Sequence, residues 1–230
     1  MSTTKSNTNY HRKLEELISK LDRRPKLLLH SCCAPCSSYC LIYLLPYFDI
    51  TCFFYNPNIT DRDEYDKRLA ELYRLCEILS KGTVLSDTFS LRVIEGDYEP
   101  GVFTSNVEER GLTGEPEGGR RCDMCFRMRL QKTYETALAA GADYFATTLT
   151  ISPHKNAQLI NEIGYSIDKD MWLPADFKKN DGYKRSIELS AKYDLYRQNY
   201  CGCWLSRRDV AAGGAPFERG RCVDERKDKS

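Results

Sequence analysis

The stretch from Pro25 to Leu45, PKLLLHSCCAPCSSYCLIYLL, decides how the rest of the chain is read. Leu27 to His30 is a short apolar run of the kind that forms a strand buried on both faces. The loop SCCAPCSS follows, and the apolar residues beyond it predict a helix from Ser38 to Leu45. Strand, tight loop and helix make the first half of a βαβ unit, and the pattern recurs downstream. Ile50 to Tyr55 (ITCFFY) is a second strand, after which Tyr65, Leu69, Leu72, Cys76 and Leu79 mark the stripe of an amphipathic helix. Leu91 to Ile94 predicts a third strand. Glu95 to Gly119, rich in Gly, Pro and acid, reads as loop with one helical turn. Phe126, Leu130, Tyr134 and Ala137 mark a helix that Gly141 stops. Tyr144 to Thr148 is a further strand, Asn156 to Ile163 a helix, and Trp172 lies near a last short strand. A helix from Tyr183 to Ala191 leads into the tail. Upstream, Leu14, Leu17, Ile18 and Leu21 predict a helix that Pro25 ends.

The expected fold is therefore α/β: a Rossmann-like open, mostly parallel sheet flanked by helices, with an irregular Cys-containing C-terminal segment. The expected organisation is an N-terminal tail and helix over 1–24, a single α/β catalytic domain over 25–204 and a charged tail over 205–230. The first nine and last dozen residues read as disordered polar ends. In such a sheet, ligands bind outside the carboxyl ends of the strands. SCCAPC, YNPN (Tyr55 to Asn58) and TTLTISPHKN (Thr147 to Asn156) all fall at such ends.

Of the 230 residues, 34 are Lys or Arg and 33 are Asp or Glu, a net charge of +1 that excludes a globally basic nucleic-acid binder. A local basic face is still compatible with that total. The longest nearly apolar run, Cys40 to Phe48, contains Pro46 and is far shorter than the roughly 20 residues of a membrane span. The first residues lack the apolar centre of a signal peptide. These features predict a cytoplasmic protein with no membrane partner. Eleven cysteines are then unexpected, since a reducing compartment disfavours structural disulfides. Clustered thiols there point to metal binding or redox chemistry.

Cys40, Cys52 and Cys76 sit in predicted helix, strand and helix stripe and read as core, while Cys222 in the tail is given no role. Cys32, Cys33 and Cys36 cluster in one loop. Cys33 and Cys36 form a C-x-x-C at a helix start, where the helix dipole lowers a thiol pKa as in thioredoxin-like enzymes. Metal ligation is the other reading, and it accommodates Cys32. Cys122 and Cys125 open a helix directly behind Arg120 and Arg121, an arrangement that suits an anionic metal–thiolate centre. Together the two groups can supply four thiolates, which suits either a structural zinc or an iron–sulfur cluster. Cys201-Gly-Cys203 can close only a small strained ring, and such a disulfide is easily reduced and suited to electron transfer.

Six blocks carry a resemblance to a known family: HSCCAPCSS (His30 to Ser38), FYNPNI (Phe54 to Ile59), EPEGGRRCDMCFRMRL (Glu115 to Leu130), TTLTISPHKN, DFKKNDGYKRS (Asp176 to Ser186) and YRQNYCGC (Tyr196 to Cys203). In this order they resemble the epoxyqueuosine reductase QueH family, over about residues 26 to 204. The resemblance implies a cobalamin-independent, two-electron deoxygenation of epoxyqueuosine to queuosine at the wobble position of tRNA. It also implies a [4Fe–4S] cluster on Cys32, Cys33, Cys122 and Cys125, a neighbouring iron and a redox-active pair, Cys201 and Cys203. An electron donor, not identifiable from the chain, is a further expected partner.

The chemistry of the reaction adds expectations of its own. The epoxide oxygen leaves as water or hydroxide, so the site needs a Lewis acid or proton donor. His154 is the candidate acid. Cys36, with Asp123 or Asp176, is a candidate ligand set for a second, mononuclear iron. Basic residues cluster at Arg120 to Arg129 and at Lys178 to Arg197, so Arg120, Arg121, Lys178, Lys179, Tyr183 and Arg185 are candidate tRNA contacts. Among the aromatics, Tyr55, Phe177, Tyr183, Tyr196 and Tyr200 are candidates to stack on an unpaired base. Two other classes compete: a zinc-stabilised RNA-binding module without redox activity, and a thioredoxin-like thiol oxidoreductase. An ATP-dependent RNA thiolation enzyme ranks last, because SCCAPCSS lacks the glycines that let backbone amides cradle phosphates.

Overall fold

A computed structural model describes residues 8–81 and 90–211. The last dozen residues, Cys222 and most of the expected N-terminal polar end lie outside these. Among the described residues, β1 (Lys26–His30), β2 (Asp49–Phe54), β3 (Leu91–Glu95) and β4 (Tyr144–Thr147) form one sheet in the order β3-β2-β1-β4. All three pairings are parallel, with Leu29 of β1 opposite Cys52 of β2 and Ala146 of β4. The helices are α1 (Tyr10–Ile18), α2 (Ala34–Leu44), α3 (Arg62–Lys81), α4 (Pro100–Glu109), α5 (Arg120–Ala139), α6 (Ala157–Ile167), α7 (Gly182–Lys192) and α8 (Trp204–Ala211). None of them is long and apolar enough to cross a membrane.

The continuous leucines of β1 are explained by burial on both faces. Leu27 and Leu29 join a core with Leu41 and Leu44 of α2 and Leu72 and Leu75 of α3. Leu28 points the other way, into a core with Phe126 and Leu130 of α5 and Ile160 and Ile163 of α6. Each such side chain contributes about 1.5–3 kcal/mol when fully buried, so β1 is the thermodynamic centre of the sheet. Cys40, Cys52 and Cys76 pack in the first of these cores, as their sequence positions predict.

The chain leaves β1 toward α2 on one face and leaves β4 toward α6 on the other. The carboxyl ends of β1 and β4 therefore flank a topological switch point, where open α/β sheets form a crevice. Ser31 to Cys33 lies at one lip and Thr147 to Ile151 at the other.

Local structure departs from the sequence reading in several places. Helix α2 begins at Ala34 rather than Ser38, because Pro35 is compatible with the first turn and Cys33 is extended as N-cap. This puts Cys36 on the helix. The Glu95–Gly119 segment contains the ten-residue α4, not one helical turn. Pro100 starts it, and Phe103 and Val107, four apart, bury one face against Met124, Cys125, Cys203 and Leu205. The C-terminal segment is irregular through Leu195–Cys203 and then helical as α8, whose Leu205 joins that same cluster. At the other end, Asn9 is ordered: its Oδ1 accepts from Arg12 N and caps α1, which stops at Ile18. In place of a last strand, Trp172 makes one parallel bridge to Phe145.

That bridge is held by a satisfied buried amide. Asn161 Nδ2 donates to the carbonyls of Ala157 and Ala175, and its Oδ1 accepts from Trp172 Nε1 and Ala175 N at 3.1 Å. The indole lies directly over Gly164, where a Cβ would come within 2.2 Å of its ring. Gly164→Ala should therefore destabilise the protein by about 1–3 kcal/mol through overpacking, read as a lowered urea midpoint.

Candidate active site

The switch-point crevice collects thiols from three parts of the chain. Cys32 and Cys33 leave β1, Cys36 sits in the first turn of α2, and their sulfurs all lie within 4.8 Å of one another. Cys32 Sγ is 3.8 Å from Cys33 Sγ and 3.6 Å from the Thr148 hydroxyl on the opposite lip. Cys122 and Cys125 occupy the first turns of α5. Cys122 packs in the same core cluster as Cys32 and Cys33, while Cys125 packs with Cys203. Cys122, Cys125, Cys201 and Cys203 line one small cavity with Arg121, Arg129, His154 and Lys155. All seven are free thiols in this structure.

Cations set the electrostatics. Arg129 of α5 is only 3% exposed, and it donates Nε–H to His30 Nε2 at 3.2 Å, Nη1–H to Cys125 Sγ at 3.9 Å and Nη2–H to Asn56 Oδ1. His30 Nε2 also lies 3.1 Å from the Tyr55 carbonyl, and its Nδ1 lies 2.8 Å from Thr147 Oγ1, so the ring is held at both nitrogens. Burial, and Arg129 beside it, lower the His30 pKa to about 3, so the ring is neutral. Burial opposes the charge of Lys155, but Cys32, Cys36 and Cys201 outweigh it and hold its pKa up.

The thiols respond unequally. Hydrogen bonds from Cys33 and Cys36, then the charges of Lys155 and Arg129, hold the Cys32 thiol well below its usual range. The Cys33 thiol is pushed up to about 11, and that of Cys36 well above the ordinary value, chiefly by Cys32. Gln198 Nε2 donates to Cys33 Sγ at 2.9 Å. Burial raises Cys122 to about 11, although the Gly118 N–H donates to its sulfur at 3.2 Å. Cys201 is held well below the thiol range by Cys203, then by Lys155, while Cys203 is raised by Cys201.

The Cys201–Cys203 loop is clamped from behind. Arg68 of α3, 2% exposed and paired with Glu64 at 2.6 Å, donates to the carbonyls of Tyr200 and Cys201. Asn58 Nδ2 donates to the same Cys201 carbonyl at 3.2 Å. Gly202 has φ +107°, and a Cβ there would lie 2.6 Å from Ile59 Cγ1. The middle residue of C-G-C must therefore be glycine.

The remaining predicted residues are dispersed around this centre. His154 is exposed and lines the cavity. Asp123 is half-buried in the first turn of α5, and burial raises its carboxyl pKa. Asp176 pairs with Lys178 at 3.0 Å. Lys178 also donates to the Thr150 carbonyl at 2.8 Å, so it braces the loop. Arg120 is exposed and bound to Glu115 at 2.7 Å, whereas Arg121 is buried and donates to the Glu115 carbonyl. Lys179 and Arg185 are exposed, and Tyr183 is half-buried. Of the candidate stacking rings, Tyr55, Phe177 and Tyr200 are buried and Tyr196 is half-buried. Sequence reasoning missed His30, Asn56, Arg68, Arg129, Lys155 and Gln198. Of these, His30 ends the run read as a buried strand, and Arg68 lies on the mostly apolar stripe side of its helix.

A family model described as "Epoxyqueuosine reductase QueH" matches residues 27–209. Among curated relatives, the epoxyqueuosine reductase QueH of Staphylococcus epidermidis is 47% identical over 201 residues, covering 85% of this chain and 83% of that protein. The Streptococcus pyogenes serotype M1 protein of that name is 45% identical over 85% of this chain and 76% of its own length. The Thermotoga maritima protein of that name is 34% identical over 85% of this chain and 97% of its own length.

Two measurements test the geometry. Gly202→Ala should destabilise the metal-free protein by about 1–3 kcal/mol from backbone strain and overpacking. A lowered thiol pKa means that thiolate persists as pH falls below 9. Cys201 in metal-free protein should thus be alkylated at a pH where Cys203 is not, as followed by mass spectrometry. Lys155→Gln removes a cation and should move the Cys201 profile to higher pH.

Proposed function

The chain belongs to the epoxyqueuosine reductase QueH family of oxidoreductases, and from that premise we propose that it reduces epoxyqueuosine in tRNA to queuosine, in the cytoplasm and without cobalamin. The observation that carries the reading is the gathering of seven thiols with Lys155 and Arg129 at the switch-point crevice. We take residues 25–204 as the catalytic domain.

The net change consumes two electrons and two protons. Both C–O bonds of the epoxide break, a C=C bond forms between the two ring carbons, and the oxygen leaves as water. Oxidation of the Cys201 and Cys203 thiols to a disulfide releases two electrons and two protons, which balances the reaction. The strained ring of a C-G-C disulfide is readily opened again by an external electron donor. Lys155 supports this use by favouring the Cys201 thiolate, and Arg68, Asn58 and Gly202 hold the loop in one conformation. His154, at the cavity wall, is the proposed proton donor to the leaving oxygen.

The donor chemistry suits a [4Fe–4S] cluster. The crevice offers sulfur, one thiol is held toward thiolate, and Lys155 and Arg129 offset the negative charge that a thiolate-bound cluster carries. Cys32, Cys33, Cys122 and Cys125 would hold it, and Cys36 with Asp123 would hold an adjacent iron. Asp176 could join only by releasing Lys178. When bound, such a centre passes electrons singly and offers a Lewis acid to the leaving oxygen. Lys179, Tyr183 and Arg185 are the proposed tRNA contacts, with Arg120 exchanging Glu115 for a phosphate. Arg121 and Lys178 act behind them by bracing their loops.

Protein purified without oxygen should be brown, carry about four or more irons with matching sulfide, and convert epoxyqueuosine-tRNA to queuosine-tRNA. Cys201→Ser and Cys203→Ser should keep iron and lose turnover, while Cys122→Ser and Cys125→Ser should lose iron. His154→Ala should lower kcat by about 100-fold or more with iron unchanged. Colourless protein with about one zinc and no turnover would replace this reading with a zinc-stabilised RNA-binding module. Disulfide-reductase activity without metal would indicate a thioredoxin-like enzyme.

A further inference from the structure

Each of the four thiols proposed to hold the cluster meets one hydrogen-bond donor from another residue of the chain. Gln198 Nε2 donates to Cys33 Sγ at 2.9 Å, and the Gly118 N–H donates to Cys122 Sγ at 3.2 Å. The Thr148 hydroxyl lies 3.6 Å from Cys32 Sγ, and Arg129 Nη1–H points at Cys125 Sγ from 3.9 Å. A metal-bound thiolate carries no proton, so with Cys32 and Cys33 as ligands the hydroxyl and the amide are the donors in both contacts. The Thr148 oxygen can donate to sulfur while it accepts from Cys32 N at 3.4 Å. Gln198 is placed by the backbone on either side of it. Two residues before it, Tyr196 N donates to Glu71 Oε1 at 2.8 Å, and two residues after it, the Tyr200 carbonyl accepts from Arg68 at 3.2 Å. The amide is thereby set against Cys33 from the same irregular segment that carries Cys201 and Cys203.

Hydrogen bonds to the sulfurs are among the factors that set the potential of an iron–sulfur cluster. The reduced cluster carries one negative charge more than the oxidised one, and a donor bonds more strongly to the more negative sulfur. Each donor therefore favours the reduced state and raises the midpoint potential. Arg129 also holds His30 and Asn56, and the Gly118 donor is backbone, so the two separable members of the set are Gln198 and Thr148. We infer that Gln198 and Thr148 are positioning residues that set the reduction potential of the cluster through Cys33 and Cys32. This rests on the reductase reading, with its cluster, and deepens it. The segment that presents the redox-active pair then also governs, through Gln198, how readily the cluster accepts an electron from the external donor. Neither residue adds a charge or touches the substrate in this role.

The test is a potentiometric titration with dithionite, followed by electron paramagnetic resonance, on iron-loaded protein purified without oxygen. Gln198→Leu and Thr148→Val each delete one donor and keep much of the side-chain volume. Each should retain wild-type iron and sulfide and lower the ratio of reduced to oxidised cluster at a given potential about ten-fold, a midpoint lower by about 59 mV. A purely structural role would change iron content or stability and leave the midpoint where it was. If Gln198→Leu fails to load iron, Thr148→Val decides alone, since it removes only an O–H donor. Loss of iron from both variants would make these residues assembly contacts and overturn the inference. If both load iron and titrate at the wild-type potential while wild type converts epoxyqueuosine-tRNA, the inference falls and the reductase reading stands. Wild type with no iron–sulfur signal removes the cluster and this inference together, and its turnover then decides the reductase reading separately.

Discussion

A guanidinium buried with no carboxylate partner among the described residues is the constraint on which this site depends. Arg129 comes from the middle of α5 and finds His30 at the end of β1, Asn56 beyond β2 and Cys125 one turn earlier on its own helix. A buried charge is tolerated only where hydrogen bonds and opposite charge satisfy it. Its partners here are neutral or thiol groups, so the compensation has to come from sulfur. The thiol that Arg129 helps to hold toward thiolate is that of Cys32, and a neutral His30 is what lets the cation lie against β1. One side chain thereby ties together the helix that carries Cys122 and Cys125 and the strand that delivers Cys32 and Cys33.

The same logic extends outward. Lys155 reaches the thiols from the loop after β4, and its charge is sustained by them despite burial. Arg68 reaches from α3 but spends its donors on backbone carbonyls of Tyr200 and Cys201, which is a positioning use of charge. The chain is neutral overall, yet its interior cations converge on a single point. This is how a protein with a net charge of +1 builds a local electropositive centre. Net charge counts the surface and the interior alike, and it is blind to where the cations fold.

Rigidity around the C-G-C loop has a related source. Gly202 permits the left-handed backbone, Ile59 and Arg68 fill the space that a side chain would need, and Asn58 and Arg68 share one carbonyl. Helix α4 and Leu205 of α8 then cover the far side through Phe103 and Val107. The segment that looked like acidic loop in sequence is thus the lid of the third core cluster. Its signal was weak because only two apolar residues, four apart, bury its face, and acidic and Gly residues mask that period.

By itself, the sequence determined the alternation of strands and helices, the parallel sheet, the cysteine blocks at strand and helix ends, and the family. These are legible because periodicity, punctuation by Gly and Pro, and rare residues clustered at fixed spacing are local properties of the chain. Tertiary structure alone decided that Cys36 joins Cys32 and Cys33 within 4.8 Å, that Lys178 and Arg121 brace loops, and that Arg129, Lys155 and Gln198 face the thiols. A basic or amide side chain on a helix reads the same whether it meets water or a buried sulfur. Its role is set by which distant element lies opposite, at separations such as the 99 residues between His30 and Arg129, and no local pattern encodes that meeting.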